Sequence, residues 1–358
     1  MATLIDRWLE SRSSRSPLTD RWLRPGRPRT QFPPYELGDP DIVGLAEART
    51  STVARIYHKG HEQAWDGRAV LDDLVAKHGG IHFPEDKKQA FARVASVLLW
   101  GELAAWSISA DLAVKLDDTP AKMAASSQVF DEARHFYVLR DYLWRAGIDV
   151  MHLGGWSRRL LVELLETDNL LFKVVGMQLL VESTAVLMFR TLAEANLEPV
   201  LTELLYYFER DEARHVGLGV LTLPEVLAGL SESDARRLWW FQTRMNLEML
   251  FGGLTLRHAF DELGVDQAEM NLQGFKYHNE IVRRMRRDHG DGDKAHDSRS
   301  LRGLFRISRT AQDSFQEFFF PSKPRSQLST KMFDAVVSFA ETTDRWMRTR
   351  DAKLSASH

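Results

Sequence analysis

The pentapeptide Asp-Glu-Ala-Arg-His occurs twice in this chain, at residues 131–135 and at residues 211–215. A glutamate precedes each copy at the same distance, Glu102 before the first and Glu182 before the second. A single copy would be better explained as a solvated helix face with an internal Asp–Arg ion pair. Two copies with matched upstream glutamates instead indicate one internal repeat.

The spacing within each copy suits a metal site. Residues three apart lie on one face of an α-helix, so the Glu and the His of each copy can bind the same ion. Glu102 and Glu182 stand among apolar residues, where an ionised carboxylate is costly unless a cation or strong donors compensate it. Four buried carboxylates and two divalent ions form a neutral set, whereas one ion would leave negative charge buried. The sequence therefore predicts a dinuclear metal site with these ligands: Glu102, Glu132, His135, Glu182, Glu212 and His215.

Composition limits the chemistry that the chain can perform. Of its 358 residues 44% are hydrophobic, and the formal net charge is -3, as in ordinary globular proteins. The absence of cysteine excludes disulfides, thiolate zinc sites, cysteine-ligated iron–sulfur clusters and a cysteine nucleophile. The slightly acidic balance disfavours nucleic acid as a partner. Any metal must therefore bind to Glu, Asp and His.

Two segments of the sequence indicate where in the cell the protein is located. The N-terminal residues carry Arg and Ser together with acidic residues, and they lack the apolar core of a secretory signal. Residues 170–189 could span a bilayer by length, but they contain Lys173 and Glu182, and we interpret them as a buried core helix. The sequence predicts a cytoplasmic protein without a membrane span, with an organelle transit peptide as the alternative.

Helical periodicity dominates from Glu85 onward, and strand signals are scarce. Residues 1–39 are rich in Pro and Arg and are expected to wrap the bundle as an irregular arm. Capping signals, with Thr119 before Pro120 and with Asp168, mark two helix starts. Helices are predicted at 86–115, 120–145, 157–166, 169–195, 199 to at least 217, 234–263, 266–287, 301–319 and 330–353.

A polar, glycine-containing gap at 289–297 is the strongest break in this pattern. We divide the chain into an N-terminal arm with short helices that pack on the bundle (1–84), a helical domain with the metal site (85–287), and a polar loop with C-terminal helices (288–358). The predicted fold class is all-α.

The ligand pattern resembles that of the ferritin-like di-iron carboxylate superfamily, in which two helices each give a Glu and two others each give Glu-x-x-His. This superfamily includes ferritins, multicomponent monooxygenases, acyl-carrier-protein desaturases, arylamine N-oxygenases and the radical subunit of ribonucleotide reductase. The resemblance covers roughly residues 85–221. It implies a four-helix bundle that holds two iron ions, or one manganese and one iron ion.

The resemblance also implies supporting roles for residues beside the ligands, because an Asp before the Glu and an Arg before the His are common in the oxygenase and desaturase branches. Asp131 would hold His215, and Asp211 would hold His135, which fixes each imidazole tautomer. The arginines of the two motifs, Arg134 and Arg214, would neutralise these aspartates.

No branch of the superfamily matches at every distinguishing position. The ribonucleotide reductase subunit usually has a Tyr and an Asp where this chain has Leu139 and Glu102. Monooxygenases and desaturases have a Thr where this chain has Ala185, and Thr184 is expected to point elsewhere. Arylamine N-oxygenases have an additional His where Phe208 stands. Storage ferritins are much shorter, so an oxidase or oxygenase is favoured.

The implied function is an oxidoreductase, catalytic at the four glutamates, that uses dioxygen to hydroxylate, desaturate or N-oxygenate an organic, largely apolar substrate. A separate electron donor, a ferredoxin or a reductase, is expected because the chain lacks both cysteine and a Gly-x-Gly-x-x-Gly fingerprint. The basic residues 283–287 are its candidate docking surface, and a homodimer is compatible with the sequence. The alternatives are a non-catalytic ferritin-like protein that senses metal or oxygen or handles iron, and a purely structural helical protein.

The remaining histidines and the aromatic residues near the motifs are predicted to have ordinary structural roles in most cases. Four irregularly spaced histidines are not expected to form a second metal site: His58, His61, His78 and His82. Six aromatic residues close to the ligands in sequence are expected mostly in the bundle core, with two or three as walls of a substrate pocket: Trp100, Trp106, Phe130, Phe136, Phe172 and Phe189.

Overall fold

The computed structural model describes residues 37–39, 41–43, 48–287, 319 and 325–355. Within these ranges the α-helices are α1 Ala48–Glu62, α2 Gly67–His78, α3 Lys88–Lys115, α4 Thr119–Arg145, α5 Gly155–Glu166, α6 Leu170–Val174, α7 Glu182–Glu194, α8 Pro199–Ala228, α9 Glu232–Thr255, α10 Arg257–Leu263, α11 Gln267–Arg287 and α12 Gln327–Ser355. A π-helical stretch, Val175–Val181, joins α6 to α7 in one continuous helix. The predicted loop at 289–297, most of the predicted helix at 301–319 and residues 1–36 of the predicted arm lie outside the described residues.

Four long helices form the bundle: α3, α4, the continuous helix α6–α7 and α8. α3 packs along α4, α7 packs along α8, and α1 lies against both α4 and α8. α11 packs on α7 and α8, while α9 contacts α5 and α12. The fold is all-α, a ferritin-like bundle with additional C-terminal helices, as predicted.

Several predicted helix boundaries differ from those in the structure, and three of these differences have a local explanation. The N-cap of α4 is Asp118, whose extended backbone lets its carboxylate accept from the Ala121 amide, while Thr119 is already helical. The N-cap of α6 is Asn169 instead of Asp168. The predicted helix at 234–263 is divided into α9 and α10 at Leu256, shortly after a pair of glycines with low helix propensity.

Two apolar clusters fill the bundle, one toward each end. On α3 one cluster takes residues up to Leu99 and the other takes residues from Ala104 onward. On α8 the division falls between Phe208 and Val216. The glutamates of the repeated pattern therefore lie at the level where the two apolar cores meet.

Two helical stretches within the described ranges are long and apolar enough to cross a membrane by length and composition, Glu85–Lys115 and Leu170–Glu194. The apolar window of the second is 78% buried by the rest of the protein, in agreement with its interpretation as a core helix. Each stretch also carries a buried glutamate, Glu102 or Glu182. Packing inside the bundle thus explains the second stretch, whereas the apolar window of the first is 44% buried.

Candidate metal centre

The bundle brings all six predicted ligands together. Two groups of side chains have ligand atoms within 4.8 Å of one another, so each group could hold a metal ion. The first position comprises Glu102, Glu132, His135 and Glu212, and the second comprises Glu132, Glu182, Glu212 and His215. Glu132 and Glu212 belong to both positions, which is the arrangement that bridging carboxylates require. All six side chains are buried.

The two histidines are placed with near two-fold symmetry. His135 Nδ1 lies 3.0 Å from Glu212 Oε1 and 3.4 Å from Glu102 Oε2. At the equivalent contacts His215 Nδ1 lies 3.1 Å from Glu132 Oε1 and 3.7 Å from Glu182 Oε1. Each ring therefore presents the same nitrogen to the carboxylates, as two equivalent metal ligands would.

The other nitrogen of each ring faces an aspartate from the opposite motif. His135 Nε2 lies 3.3 Å from Asp211 Oδ2, and His215 Nε2 lies 3.2 Å from Asp131 Oδ2. When Nε2–H donates to the aspartate, the lone pair of a neutral imidazole is on Nδ1, which points at the carboxylates. The crossed pairing is the one that the resemblance implied.

Two buried arginines connect the aspartates. Arg134 Nη2 donates to Asp131 Oδ1 at 2.5 Å and to Asp211 Oδ2 at 2.8 Å. Arg214 donates from Nη1 to Asp211 Oδ1 at 2.8 Å and from Nη2 to Asp131 Oδ2 at 2.9 Å. Each arginine thus bonds both aspartates, so these charges compensate one another, and within the described ranges no arginine or lysine pairs with the four glutamates.

The pKa shifts show that the charge of each buried Glu and His side chain depends on nearby charges of opposite sign. Burial raises the pKa of Glu102 and of Glu182 well above the usual range of a carboxyl group. Burial also acts to raise the pKa of Glu212, but the nearby imidazoles of His215 and His135 together hold that pKa below its usual range. Burial opposes the charge of His135, yet the nearby carboxylates of Asp211, Glu102 and Glu212 raise its pKa. Carboxylates at this density require positive charge, whether protons or metal ions.

The unpartnered atoms of the site fit a metal ion. Glu102 Oε2, Glu132 Oε2 and His135 Nδ1 are buried, and none of them has a hydrogen-bond partner in the part of the chain described. Unpartnered buried lone pairs are costly, and a cation bound by all three atoms would remove this cost. Oxygen and imidazole nitrogen ligands without thiolate are a set that suits iron and manganese.

Sequence reasoning missed a tryptophan that supports the first metal position. Trp65, in the short connection between α1 and α2, donates from Nε1 to Asp211 Oδ2 at 2.7 Å. Its ring also lies 4.7 Å from the Arg134 guanidinium carbon. Trp65 stands outside the internal repeat, so no spacing could identify it.

A second missed feature is a pair of buried glutamines. Gln128 Nε2 donates to Glu182 Oε1 at 2.5 Å and to Glu132 Oε1 at 3.2 Å, and Gln178 Nε2 donates to Gln128 Oε1 at 2.8 Å. The repeat equivalent of Gln128 is Phe208, whose ring stacks on His135 with centroids 4.4 Å apart. The two metal positions therefore have different surroundings despite the repeat.

A cavity of about 430 Å³ borders the ligands. It reaches from Glu102, Glu132 and Glu182 outward between α3 and α7 to residues of α5, α9 and α11. Leucine, methionine, valine and alanine side chains form most of its wall near the glutamates. An apolar cavity that ends on the ligands is the arrangement expected of a substrate site.

Some sequence expectations about the surroundings are wrong. Trp100 and Trp106 are each 38% exposed, and Phe130 is 60% exposed, because these residues lie on the outer faces of α3 and α4. Of the six aromatic residues Phe189 is fully buried, and none of the six lines the cavity. Thr184 lines the cavity, and its hydroxyl donates to the Leu180 carbonyl at 2.7 Å.

Comparisons with known proteins show the fold. No family model matches the chain. No curated protein matches it either. Among solved structures, an R2-like ligand-binding oxidase with an aerobically reconstituted Mn/Fe cofactor is similar over 68% of this chain and 94% of its own, at 16% identity and a TM-score of 0.54. A photoconverted form of such an oxidase, with an aerobically reconstituted metal cofactor, aligns over the same shares at 14% identity and a TM-score of 0.54.

Proposed function

We propose that this chain is a dinuclear metal oxidoreductase, with two iron ions or one manganese and one iron ion, that uses dioxygen to oxidise an organic, largely apolar substrate. The observation that carries the proposal is the pair of overlapping Glu/His groups at the inner end of an apolar cavity. The structurally similar oxidases have a Mn/Fe cofactor, which supports the same metals here.

The proposed ligands are the six buried side chains, with Glu132 and Glu212 shared between the ions. When bound, a pair of redox-active ions supplies the one-electron chemistry that dioxygen activation requires and that ordinary side chains lack. Asp131 and Asp211 fix the histidine tautomers, and Gln128 orients Glu182. The apolar cavity wall places an apolar substrate beside the ligands.

The cavity favours an enzyme over a metal-handling or sensing protein, since ion storage does not require space for an organic molecule beside the ligands. Hydroxylation, desaturation and N-oxygenation are all compatible with this arrangement. The proposed domain division, cytoplasmic location and homodimer stay predictions.

Oxygen consumption tests the proposal. Chemically reduced, iron-loaded protein should consume dioxygen, and the Glu132→Ala variant should not, because it loses a ligand of both positions. Glu163→Ala is the matched control, since Glu163 pairs with Arg244 away from the ligands. If the metal-loaded protein consumes no dioxygen, whether or not apolar compounds are present, this result would favour the non-catalytic alternative.

A separate electron donor is part of the proposal, because the chain has no cysteine for an iron–sulfur cluster. Arg283 and Arg284 are 67% and 65% exposed and pair only loosely with Glu280 on the same helix, so they can bind an acidic donor. Arg283→Glu with Arg284→Glu should weaken oxygen consumption driven by a ferredoxin and its reductase, but not by dithionite. Equal loss with both reductants would contradict docking at this surface.

A further inference from the structure

The outer wall of the cavity differs chemically from the wall beside the glutamates. Five residues of α11 line it, and besides Met270 they recur at helical spacing: Gln267, Asn271, Gly274 and His278. Successive intervals of four, three and four residues place them on one face of the helix. This face is polar, whereas the cavity walls given by α3 and α7 are mainly apolar.

The polar face lies close enough to the candidate metal centre for one molecule to contact both. An added Cβ on Gly274 would stand 2.8 Å from Leu187 Cδ2, so α11 packs tightly against α7 at this level. Leu187 follows Glu182 by five residues, which corresponds to roughly 7–8 Å along the helix axis. A small substrate is long enough to reach from Glu182 to the α11 face.

The hydrogen bonds of this face determine what it can offer a ligand. Gln267 Nε2 donates to the Gly253 carbonyl at 2.8 Å, and Asn271 Nδ2 donates to the Gln267 carbonyl at 2.7 Å. Neither side-chain amide oxygen has a hydrogen-bond partner among the described residues. Each amide can therefore offer its carbonyl oxygen as an acceptor.

Charge is absent from this part of the cavity. No lysine or arginine occurs among the described residues that line the cavity, and its only acidic residues are the proposed ligands. Burial lowers the pKa of His278 below its usual value, so this ring is neutral near pH 7. A carboxylate or phosphate placed here would meet carbonyl oxygens and no compensating cation.

We propose that the α11 face binds the polar end of an uncharged substrate that donates a hydrogen bond, such as a hydroxyl group, and that Asn271, Gln267 and His278 are its contacts. The apolar remainder of the molecule then lies between α3 and α7 and points toward the glutamates. This inference deepens the proposed function and rests on it for the identity of the molecule as substrate.

The test measures binding to zinc-loaded protein, in which no oxidation occurs. Hexanol, hexanoic acid and hexane share one chain length, but hexanol ends in a hydroxyl group, hexanoic acid in a carboxyl group and hexane in a methyl group. Differences between their dissociation constants therefore measure how the protein recognises the end group. Asn271→Leu and His278→Phe should each weaken hexanol binding by about 2- to 10-fold, as expected for one hydrogen bond, and should leave hexane unchanged. Any binding of hexanoic acid should be insensitive to both variants, because the zinc ions would bind its carboxylate.

Asn279→Leu is the matched control, since Asn279 is exposed on the same helix and does not line the cavity. Hexanol that binds no better than hexane, or that is unaffected by both cavity variants, would overturn the inference, as would absence of binding by all three compounds. These outcomes are separate from failure of the proposed function, which is measured as oxygen consumption by the iron-loaded protein.

Discussion

Trp65 Nε1 donates a 2.7 Å hydrogen bond to Asp211 Oδ2, the atom that also lies 3.3 Å from His135 Nε2. Trp65, in the connection between α1 and α2, is thereby linked to His135 at the first metal position through the carboxylate of Asp211. The geometry makes Trp65 a positioning residue for His135, because it fixes the oxygen that orients the imidazole.

Trp65→Phe should keep the ring packing and lose this hydrogen bond. We expect the affinity of the first metal position to fall by about 10-fold, at the lower end of the range for outer ligand partners, while the second position changes less. Stepwise metal titration of the metal-free protein measures both affinities. Trp240→Phe is the control, since Trp240 is 65% exposed on α9. Equal affinities in the Trp65 variant and the native protein would contradict the assigned role.

Gln128→Leu should lower the metal affinity of the second position instead of the first. The substitution removes the hydrogen bonds from Nε2 to Glu182 and Glu132 at similar side-chain volume. We expect the second position to lose roughly 10- to 100-fold in metal affinity in the same titration. A double variant with Gln178→Leu removes the amide that would otherwise lose its partner, and it should show the same selective loss. A loss confined to the first position would refute this asymmetry.

A buried ion pair remote from the ligands gives a test of stability against pH. Lys173 is 2% exposed and lies 2.5 Å from Asp111, which also pairs with Lys115 at 2.9 Å. Burial acts to raise the pKa of Asp111, but hydrogen bonds and charges of Lys115 and Lys173 lower it overall below 3.8. The stability that this carboxylate contributes is present above its unfolded pKa and is lost as the pH falls through its folded pKa.

Asp111→Asn should lower the free energy of unfolding by about 2 kcal/mol at neutral pH, less than for a fully buried pair because Asp111 is 27% exposed. The difference from the native protein should be complete above about pH 5 and should shrink below about pH 4. Urea unfolding across this range measures it. Asp72→Asn, which breaks an exposed pair with Arg145, should cost less than about 1 kcal/mol. A difference that grows in acid would be inconsistent with the assigned pKa direction.

The sequence predicted the bundle and the clustering of its Glu and His side chains because both follow from periodicity. The matched distances from Glu102 and Glu182 to the two pentapeptides select four helices and place their carboxylates at one level. The same periodicity gave most helix bounds, but it could not choose between neighbouring capping residues such as Asp118 and Thr119. That choice depends on which residue keeps an extended backbone.

What sequence reasoning missed depends on contacts between distant segments. Trp65 and Gln178 reach the site from outside the repeated residues, so no spacing identifies them. The exposure of Trp100 and Phe130 depends on which faces of α3 and α4 receive neighbours, and an aromatic residue fits either a core or a surface. The cavity likewise requires the placement of α9 and α11 over the bundle.

The metal content of purified protein tests the central claim most directly. Protein loaded with iron, or with manganese and iron together, should hold about two ions per chain, because four buried glutamates otherwise lack compensation. Glu132→Ala and Glu212→Ala should each lower the content of both positions, since each residue belongs to both groups, and Glu163→Ala should retain the native content. A folded native protein that holds one ion or none, or equal losses in all three variants, would contradict the dinuclear centre.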